Sequence, residues 1–214
     1  MAVKDFPMFT TEYGVASLIL REIPYRQEAY ILIQATEQPE ELLQECVSFC
    51  RICGAEKIYA RGHEFLERYP LHTIIYEMSS ETWVDETKVE HLWPVTEQNV
   101  GSWRKRMNER LAGVDNAATL DARSEKDILS SNGACFVHHG EELLGGFWVS
   151  GEELLLVAAF QPGAGERVMH TMMSMLPPMR LKLDVVSTNQ RAIRLYEKLG
   201  FIRTKEKHRW YQVL

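Results

Sequence analysis

Three apolar segments separated by very short polar turns constrain the fold of this chain more than any other feature of its sequence. They read ACFVHH, LLGGFWV and ELLLVAAF, and the links between them, HGEE and SGEE, have the glycine and charged residues of tight turns. Turns this short join neighbouring antiparallel strands, whereas parallel strands need a longer crossover. The pattern therefore predicts a three-stranded antiparallel meander over residues 134–160.

The segments around the meander alternate between helical and extended patterns. Before it, Thr96 is suited to cap a helix from Glu97 to about Ala112, and a second short helix is expected within residues 114–133. After it come a glycine-containing turn leading into a helix that stops at Pro177, a strand LKLDVV, another helix, and two short strands in FIRTKEKHRWYQVL. The predicted order is helix, helix, three antiparallel strands, helix, strand, helix and two strands.

The last of these helices lies in TNQRAIRLYEKLGF, residues 188–201. Asn189 is a favourable N-cap because its side-chain oxygen can accept a hydrogen bond from a free amide of the first turn. Gly200 is suited to end the helix in a left-handed conformation. Between them runs one apolar stripe at helical spacing, made of Ala192, Leu195, Tyr196 and Leu199. Taken alone, the tyrosine is either a half-buried core residue or a functional group.

This order of elements resembles the GNAT superfamily of acyl-CoA-dependent N-acyltransferases over about residues 94–214. The family motif N-x-x-A-x-x-L-Y-x-x-x-G-F is matched by Asn189, Ala192, Leu195, Tyr196, Gly200 and Phe201. The resemblance implies an α/β (α+β) fold, in which helices flank a mixed, mainly antiparallel sheet. It also implies an N-acetyltransferase that uses acetyl-CoA as co-substrate, uses no metal, and acetylates a primary amine.

The resemblance also implies roles for particular residues. The amine would attack the thioester carbonyl directly, giving a tetrahedral intermediate, and Tyr196 would be the general acid that protonates the departing thiolate. Asn189 would hydrogen-bond the pantetheine arm. The third meander strand and LKLDVV would splay apart, so that backbone groups at Val157 and Ala159 hold the pantetheine and polarise the carbonyl.

The turn expected to bind the pyrophosphate departs from the family pattern R/Q-x-x-G-x-G/A. It reads Gln161-Pro162-Gly163-Ala164-Gly165-Glu166-Arg167. Counting from Gln161 puts Ala164 on the first required glycine and Glu166 on the second small residue. A shift by one residue fits Gly165 to the first glycine but loses both flanking positions. The residues implied to bind the cofactor here are Gly163, Ala164, Gly165, Glu166 and Arg167, with Arg167 offsetting the charge of Glu166.

The remaining polar residues of this region do not identify a general base. Glu152 and Glu153 read as a solvated turn, and His138 and His139 alternate across a strand, so at most one of them can face a pocket. Asp184 lies in an otherwise apolar strand and needs a partner if it is buried. The amine acceptor also stays open between a peptide terminus, a polyamine, an antibiotic and a metabolite. The alternative function is a non-catalytic acyl-CoA-binding or assembly module that retains the fold.

The first 92 residues show a similar but shorter succession of strand, strand, helix, strand, helix and strand. We interpret residues 1–92 as a degenerate, truncated GNAT-like lobe and residues 93–214 as the acetyltransferase domain, joined through SSETWVDETKVEHLWP. The turn ATEQPEE, which precedes the first helix, has no glycine and several glutamates, so it is unsuited to a phosphate. An unrelated α/β extension is the alternative interpretation of these residues.

Composition limits the remaining classes. Residues 1–92 carry 8 Lys and Arg against 16 Asp and Glu, which argues against nucleic acid as a partner. No apolar run reaches the length of a membrane span, and the N-terminus lacks a signal-peptide pattern, so we expect a cytoplasmic monomer or homodimer that does not bind membranes. The cysteines Cys46, Cys50 and Cys53 share one helical face, as buried small hydrophobic residues or as part of a zinc or redox site.

Overall fold

The computed structural model describes residues 7–81 and 89–214 and places them in alternating strands and helices. The strands are β1 (Met8–Thr11), β2 (Gly14–Ile19), β3 (Glu28–Thr36), β4 (Lys57–Arg61), β5 (Leu71–Glu81), β6 (His91–Pro94), β7 (Ala134–His139), β8 (Glu142–Ser150), β9 (Glu153–Ala159), β10 (Arg180–Val186) and β11 (Ile202–Gln212). The helices are α1 (Ile23–Arg26), α2 (Pro39–Ile52), α3 (Val100–Leu111), α4 (Ala122–Ser131), α5 (Gly165–Met175) and α6 (Gln190–Lys198), with a 3₁₀ helix at Glu64–Arg68. The mixed, mainly antiparallel sheet flanked by helices confirms the predicted fold class.

The chain divides into two compact units, and the division falls within β5 and within β11. The first unit contains the described residues through Ile74 together with Lys207–Leu214, and the second contains the described part of Ile75–Glu206. The sequence placed the boundary between residues 92 and 93 instead. The structural reason for the earlier boundary is that β5 pairs with β10 from Ile75 to Glu81, so these residues belong to the sheet of the second unit.

The meander predicted from the sequence is confirmed in the second unit. There β7 pairs antiparallel with β8, and β8 pairs antiparallel with β9. The strand order of this unit is β11-β5-β10-β9-β8-β7-β6. The prediction of two short strands after Phe201 was wrong, because β11 runs without a break from Ile202 to Gln212.

Helices cover both faces of this sheet. Along β7, Cys135 and Val137 pack into the core formed with α5 and α6, whereas Ala134 and Phe136 pack into the core formed with α3 and α4. This alternation follows from the two-residue period of a strand. The sheet of the second unit is therefore the middle layer of a three-layer arrangement.

Two local predictions in this unit need correction. The helix expected from Glu97 begins at Val100, because the Asn99 side chain accepts a hydrogen bond from the Thr96 amide and the preceding residues form a turn. The apolar character of the four methionines of α5 predicts that they pack in the core, and Met169, Met172 and Met173 are buried, but Met175 is 44% exposed near the end of the helix.

The first unit has the strand order β1-β2-β3-β4-β11, and α2 packs on β2 and β3. The succession predicted for these residues is present, and the structure adds the short strand β1, which has only four residues and little periodicity to predict it. Cys46 and Cys50 are fully buried in the core, as the hydrophobic interpretation predicts, whereas that interpretation was wrong for the exposed Cys53. That this unit is a degenerate copy of the second one stays a prediction.

The segment predicted as a linker, residues 79–94, contributes to a strand at each end. Its first residues belong to β5 and its last residues form β6, which pairs with β7. Residues 82–88 of this segment lie outside the described residues.

Candidate active site

The two parallel strands at the middle of the second unit, β9 and β10, separate after a short paired stretch. They pair only at Lys182 with Glu153 and at Leu183 with Leu154. Each strand nevertheless continues on its other side, β9 against β8 as far as Ala159 and β10 against β5 as far as Val186. Among the described residues, β9 and β10 do not pair with each other beyond Leu154 and Leu183, so their facing edges form a gap in the sheet.

A bulge in β9 decides which of its backbone groups face this gap. The register against β8 skips one residue, Leu155. Beyond the bulge, the amide of Phe160 donates to the carbonyl oxygen of Leu144 in β8, 2.8 Å away. Because backbone groups alternate along a strand, the amides of Val157 and Ala159 turn the other way, towards the gap. These are the two positions that the resemblance implies for pantetheine binding.

No such gap exists between the parallel strands described in the first unit. There β3 and β4 pair from Glu28 with Lys57 to Leu32 with Arg61, which is the entire length of β4. The first turn of the following helix, α2, carries Glu40 and Glu41. Neither the backbone nor the charge of this part of the first unit suits an anionic cofactor.

Tyr196 lies on α6, which follows β10 in the chain. Its side chain is buried in the core of the second unit, and its ring centroid lies 5.8 Å from that of Phe201. Burial raises the pKa of the Tyr196 hydroxyl to about 12, further above neutral pH than the ordinary tyrosine value. The hydroxyl forms no hydrogen bond to any residue that the structure describes.

The two ends of α6 are formed as the sequence predicts. Asn189 is the N-cap, and its Oδ1 accepts a hydrogen bond from the Ala192 amide at 3.2 Å. At the other end Gly200 has a φ of +86°, and the Phe201 amide donates back to the carbonyl of Tyr196. This pattern of a left-handed residue and a backward hydrogen bond fixes where α6 stops. The cap uses Oδ1 of Asn189. Its Nδ2 group can therefore still donate a hydrogen bond, as the pantetheine contact implied by the resemblance requires.

The turn between β9 and α5 presents a helix N-terminus without a side-chain cap. Ala164 occupies the N-cap position, its side chain makes no capping bond, and α5 begins at Gly165. The first amides of a helix have no intrahelical acceptor, so here they are left for an anion. A Cβ atom at Gly165 would lie 3.1 Å from Cδ2 of Leu195, which shows that α5 starts against α6. Gly163, at a φ of +83°, has open space around it.

The charges at this turn differ from the sequence-based expectation. Glu166 pairs with Lys198 of α6 at 2.6 Å, and its other oxygen lies 3.9 Å from His170. Arg167, predicted to offset Glu166, instead forms an ion pair with Glu90 at 2.7 Å and thereby lowers the pKa of that carboxyl. Lys198 therefore supplies the compensation that the sequence assigned to Arg167.

Two arginines of α3 adjoin the turn and were missed by sequence reasoning. Arg110 donates a hydrogen bond to the carbonyl oxygen of Phe160, the residue that precedes the turn, and the guanidinium of Arg106 lies 5.9 Å from the centre of the Phe160 ring. Neither arginine forms an ion pair with a carboxylate of the described residues. Their i, i+4 spacing was visible in the sequence, but nothing there indicated which loop that face of α3 meets.

The candidate bases are not gathered at the gap. Glu152 is exposed and pairs with Lys182 at 3.4 Å, and Asp184 is exposed on β10 rather than buried. His138 contacts the carbonyl of Gly140, and His139 pairs with Glu90.

A carboxylate that the sequence did not suggest lies at the end of β10 instead. Asp115, in the loop after α3, accepts a hydrogen bond from the hydroxyl of Thr188 at 2.7 Å. Thr188 directly precedes the N-cap of α6, so this contact brings the loop to the edge of the sheet where β10 ends.

Within residues 7–81 and 89–214, no three His, Cys, Asp or Glu side chains are grouped closely enough to hold a metal ion. In the same residues no helix is long and apolar enough to cross a membrane.

Comparison with known proteins identifies the fold of this chain. No family model matches the sequence, and no curated protein matches it. Similar solved structures include a conserved protein of unknown function from Staphylococcus epidermidis, which is 9% identical with a TM-score of 0.59 over 97% of this chain and 93% of that chain. A GCN5-related N-acetyltransferase from Sphaerobacter thermophilus is 10% identical with a TM-score of 0.56, over 92% of this chain and 75% of that chain. Another GCN5-related N-acetyltransferase, from Anabaena variabilis, is 10% identical with a TM-score of 0.58, over 97% of this chain and 57% of that chain.

These similarities confirm that the chain has the fold of GCN5-related N-acetyltransferases, the GNAT fold. At these identities they establish the fold alone.

Proposed function

We propose that the protein is an N-acetyltransferase that transfers the acetyl group of acetyl-CoA to a primary amine in its second unit. The observation that carries the proposal is the gap between β9 and β10, which leaves the amides of Val157 and Ala159 without partners in the part of the sheet that the structure describes. An extended amide-containing chain such as pantetheine can complete these hydrogen bonds, much as a further strand would.

The groups around the gap fit the rest of the co-substrate. The uncapped amides at the start of α5 suit a pyrophosphate, and the cationic groups of Arg106 and Arg110 lie beside the preceding residue. Pairing with Lys198 compensates the charge of Glu166, which would otherwise repel phosphates. The imperfect glycine pattern of the turn therefore does not argue against binding.

Acetyl-CoA, when bound, supplies an acyl carbon activated by its thioester bond. During transfer a C–N bond to the amine forms, the C–S bond breaks, and the amine loses a proton to water, from which Tyr196 is reprotonated after turnover. The protein contributes donors at Val157 and Ala159 that favour negative charge on the carbonyl oxygen. Tyr196 contributes the proton that the sulfur needs as it leaves, since its pKa of about 12 keeps the hydroxyl protonated at neutral pH.

Calorimetric titration and a thiol-release assay test this proposal. Acetyl-CoA and CoA should each bind saturably, and a panel of polyamines, peptides with free N-termini and aminoglycosides should contain an acceptor that releases CoA. Tyr196→Phe should retain binding and lose turnover. Tyr69→Phe, which changes a tyrosine of the first unit, is the matched control and should retain both.

The outcomes separate the two candidate functions. Saturable binding with no thiol release for any amine would favour the non-catalytic acyl-CoA-binding module. No binding of either acetyl-CoA or CoA would contradict both.

A further inference from the structure

A cleft of about 280 Å³ opens in the first unit at the C-terminal end of β4. One wall of the cleft is formed by the last residue of β4 and the residues directly after it. The other wall is the C-terminal part of β11, which pairs antiparallel with β4 at Tyr211 and Ala60. Five side chains that carry positive or ionisable nitrogen line the cleft, namely Arg61, His63, Lys207, His208 and Arg209. Two glutamates, Glu64 and Glu67, line it as well.

Arg61 is the central residue of this cleft, because its side chain is half-buried and forms no ion pair with a carboxylate of the described residues. Its Nη1 donates to Nδ1 of His208 at 2.9 Å, and its guanidinium carbon lies 5.3 Å from the centre of the Trp210 ring. Since arginine cannot accept a hydrogen bond, the contact requires Nδ1 of His208 to be the acceptor. The Nε atom of Arg61 is buried and has no hydrogen-bond partner among the described residues.

The half-buried position of Arg61 disfavours the positive charge that its side chain nevertheless carries. Burial lowers the pKa of Arg61, yet guanidinium groups stay protonated in proteins. Among the described residues no carboxylate forms an ion pair with it, and Glu64 and Glu67 are exposed on the 3₁₀ helix. Transferring an unpaired charge out of water is costly unless another group supplies the opposite charge.

The geometry points to a binding site for a small oxyanion, a phosphate or carboxylate group, with Arg61 as its anchor. Guanidinium groups bind both kinds of oxyanion with charge-assisted hydrogen bonds, which are stronger than neutral ones. His208 and Trp210 hold the Arg61 side chain in place, so little side-chain freedom is lost when the anion binds. Lys207 and Arg209, the neighbours of His208 in the chain, also line the cleft.

Gly62 allows the backbone next to Arg61 to lie close to the backbone of Ile33. It has a φ of +106°, and a Cβ atom there would lie 2.3 Å from the carbonyl oxygen of Ile33. A glycine is therefore required immediately after Arg61, and the chain turns sharply enough for His63 to cap the 3₁₀ helix through Nδ1. The position of the anchor follows from this turn.

An NMR titration of the full chain with small anions tests the proposal. Sodium phosphate and sodium acetate are added separately at the ionic strength of a sodium chloride reference, while the ring signals of His208 and Trp210 are followed. We expect saturable shifts with phosphate, with acetate or with both, and none with chloride. Saturation by only one of the two assigns the ligand class as phosphate or carboxylate.

Two variants test whether Arg61 is the anchor. Arg61→Gln should raise the dissociation constant at least tenfold. Arg68→Gln should leave it unchanged, because Arg68 is an exposed arginine of the neighbouring 3₁₀ helix that already pairs with Glu40 at 3.2 Å.

Shifts in the wild type that rise linearly, or that chloride reproduces, would overturn the site without reference to any variant. An unchanged dissociation constant in Arg61→Gln would overturn the assignment of the anchor.

Discussion

Replacing Tyr196 by phenylalanine separates a catalytic tyrosine from a core tyrosine. The hydroxyl forms no hydrogen bond with a described residue, so its removal leaves no buried partner unsatisfied, and the ring still packs against Phe201. We therefore expect the free energy of unfolding to change by less than about 1 kcal/mol. Loss of general acid catalysis should lower kcat by ~10²–10⁴, which corresponds to about 3–5 kcal/mol in the activation barrier.

The assays for this prediction are denaturant unfolding and the rate of CoA release with a responsive amine. Acetyl-CoA affinity should stay nearly unchanged, because the proton is transferred only as the thiolate departs. In the wild type, deprotonation of Tyr196 should lower kcat only as the pH rises through about 12, since burial raises its pKa to that value. A variant with full kcat would refute the acid role, and one that unfolds readily would show that the hydroxyl is structural.

Three further substitutions address the remaining parts of the site. Asn189→Ala removes the acceptor of the Ala192 amide, so it should lower the free energy of unfolding by ~0.5–2 kcal/mol in urea denaturation and weaken acetyl-CoA binding in calorimetry. Arg110→Gln removes a cation beside the turn and should weaken acetyl-CoA binding by about tenfold, whereas stronger binding would place the phosphates elsewhere. Lys198→Gln removes the ion-pair partner at 2.6 Å from Glu166 and should weaken binding most at low salt, and adding Glu166→Gln should restore it.

The elements that the sequence predicted well are those that local patterns determine. The meander follows from turns too short for any other connection, and the bounds of α6 follow from an asparagine cap and a glycine stop. The prediction errors occur mainly where pairing between strands that are distant in the sequence determines the structure. Strand β11 was predicted as two strands because its charged residues resemble a turn. The predicted start of α3, three residues early, is the exception, since the turn from Thr96 to Asn99 that precedes the helix is a local feature.

The candidate site likewise contains residues that local sequence patterns predict and residues that they do not. The motif residues Asn189 and Tyr196 could be found from their spacing, but Arg110 and Lys198 could not, because their roles depend on which helix face meets the turn after β9. The directions of the amides at Val157 and Ala159 depend on the bulge at Leu155, which apolar residues alone do not reveal. A sequence predicts which groups are available, whereas packing decides which of them meet.

Amide hydrogen exchange with and without acetyl-CoA tests the central claim most directly. In the free protein the amides of Val157 and Ala159 face the gap and should exchange faster than that of Phe160, which is bonded to Leu144 across β8. Saturating acetyl-CoA should slow exchange at Val157 and Ala159 and leave Phe160 nearly unchanged. Saturable binding that leaves exchange at both residues unaltered would show that the co-substrate does not bind in the gap.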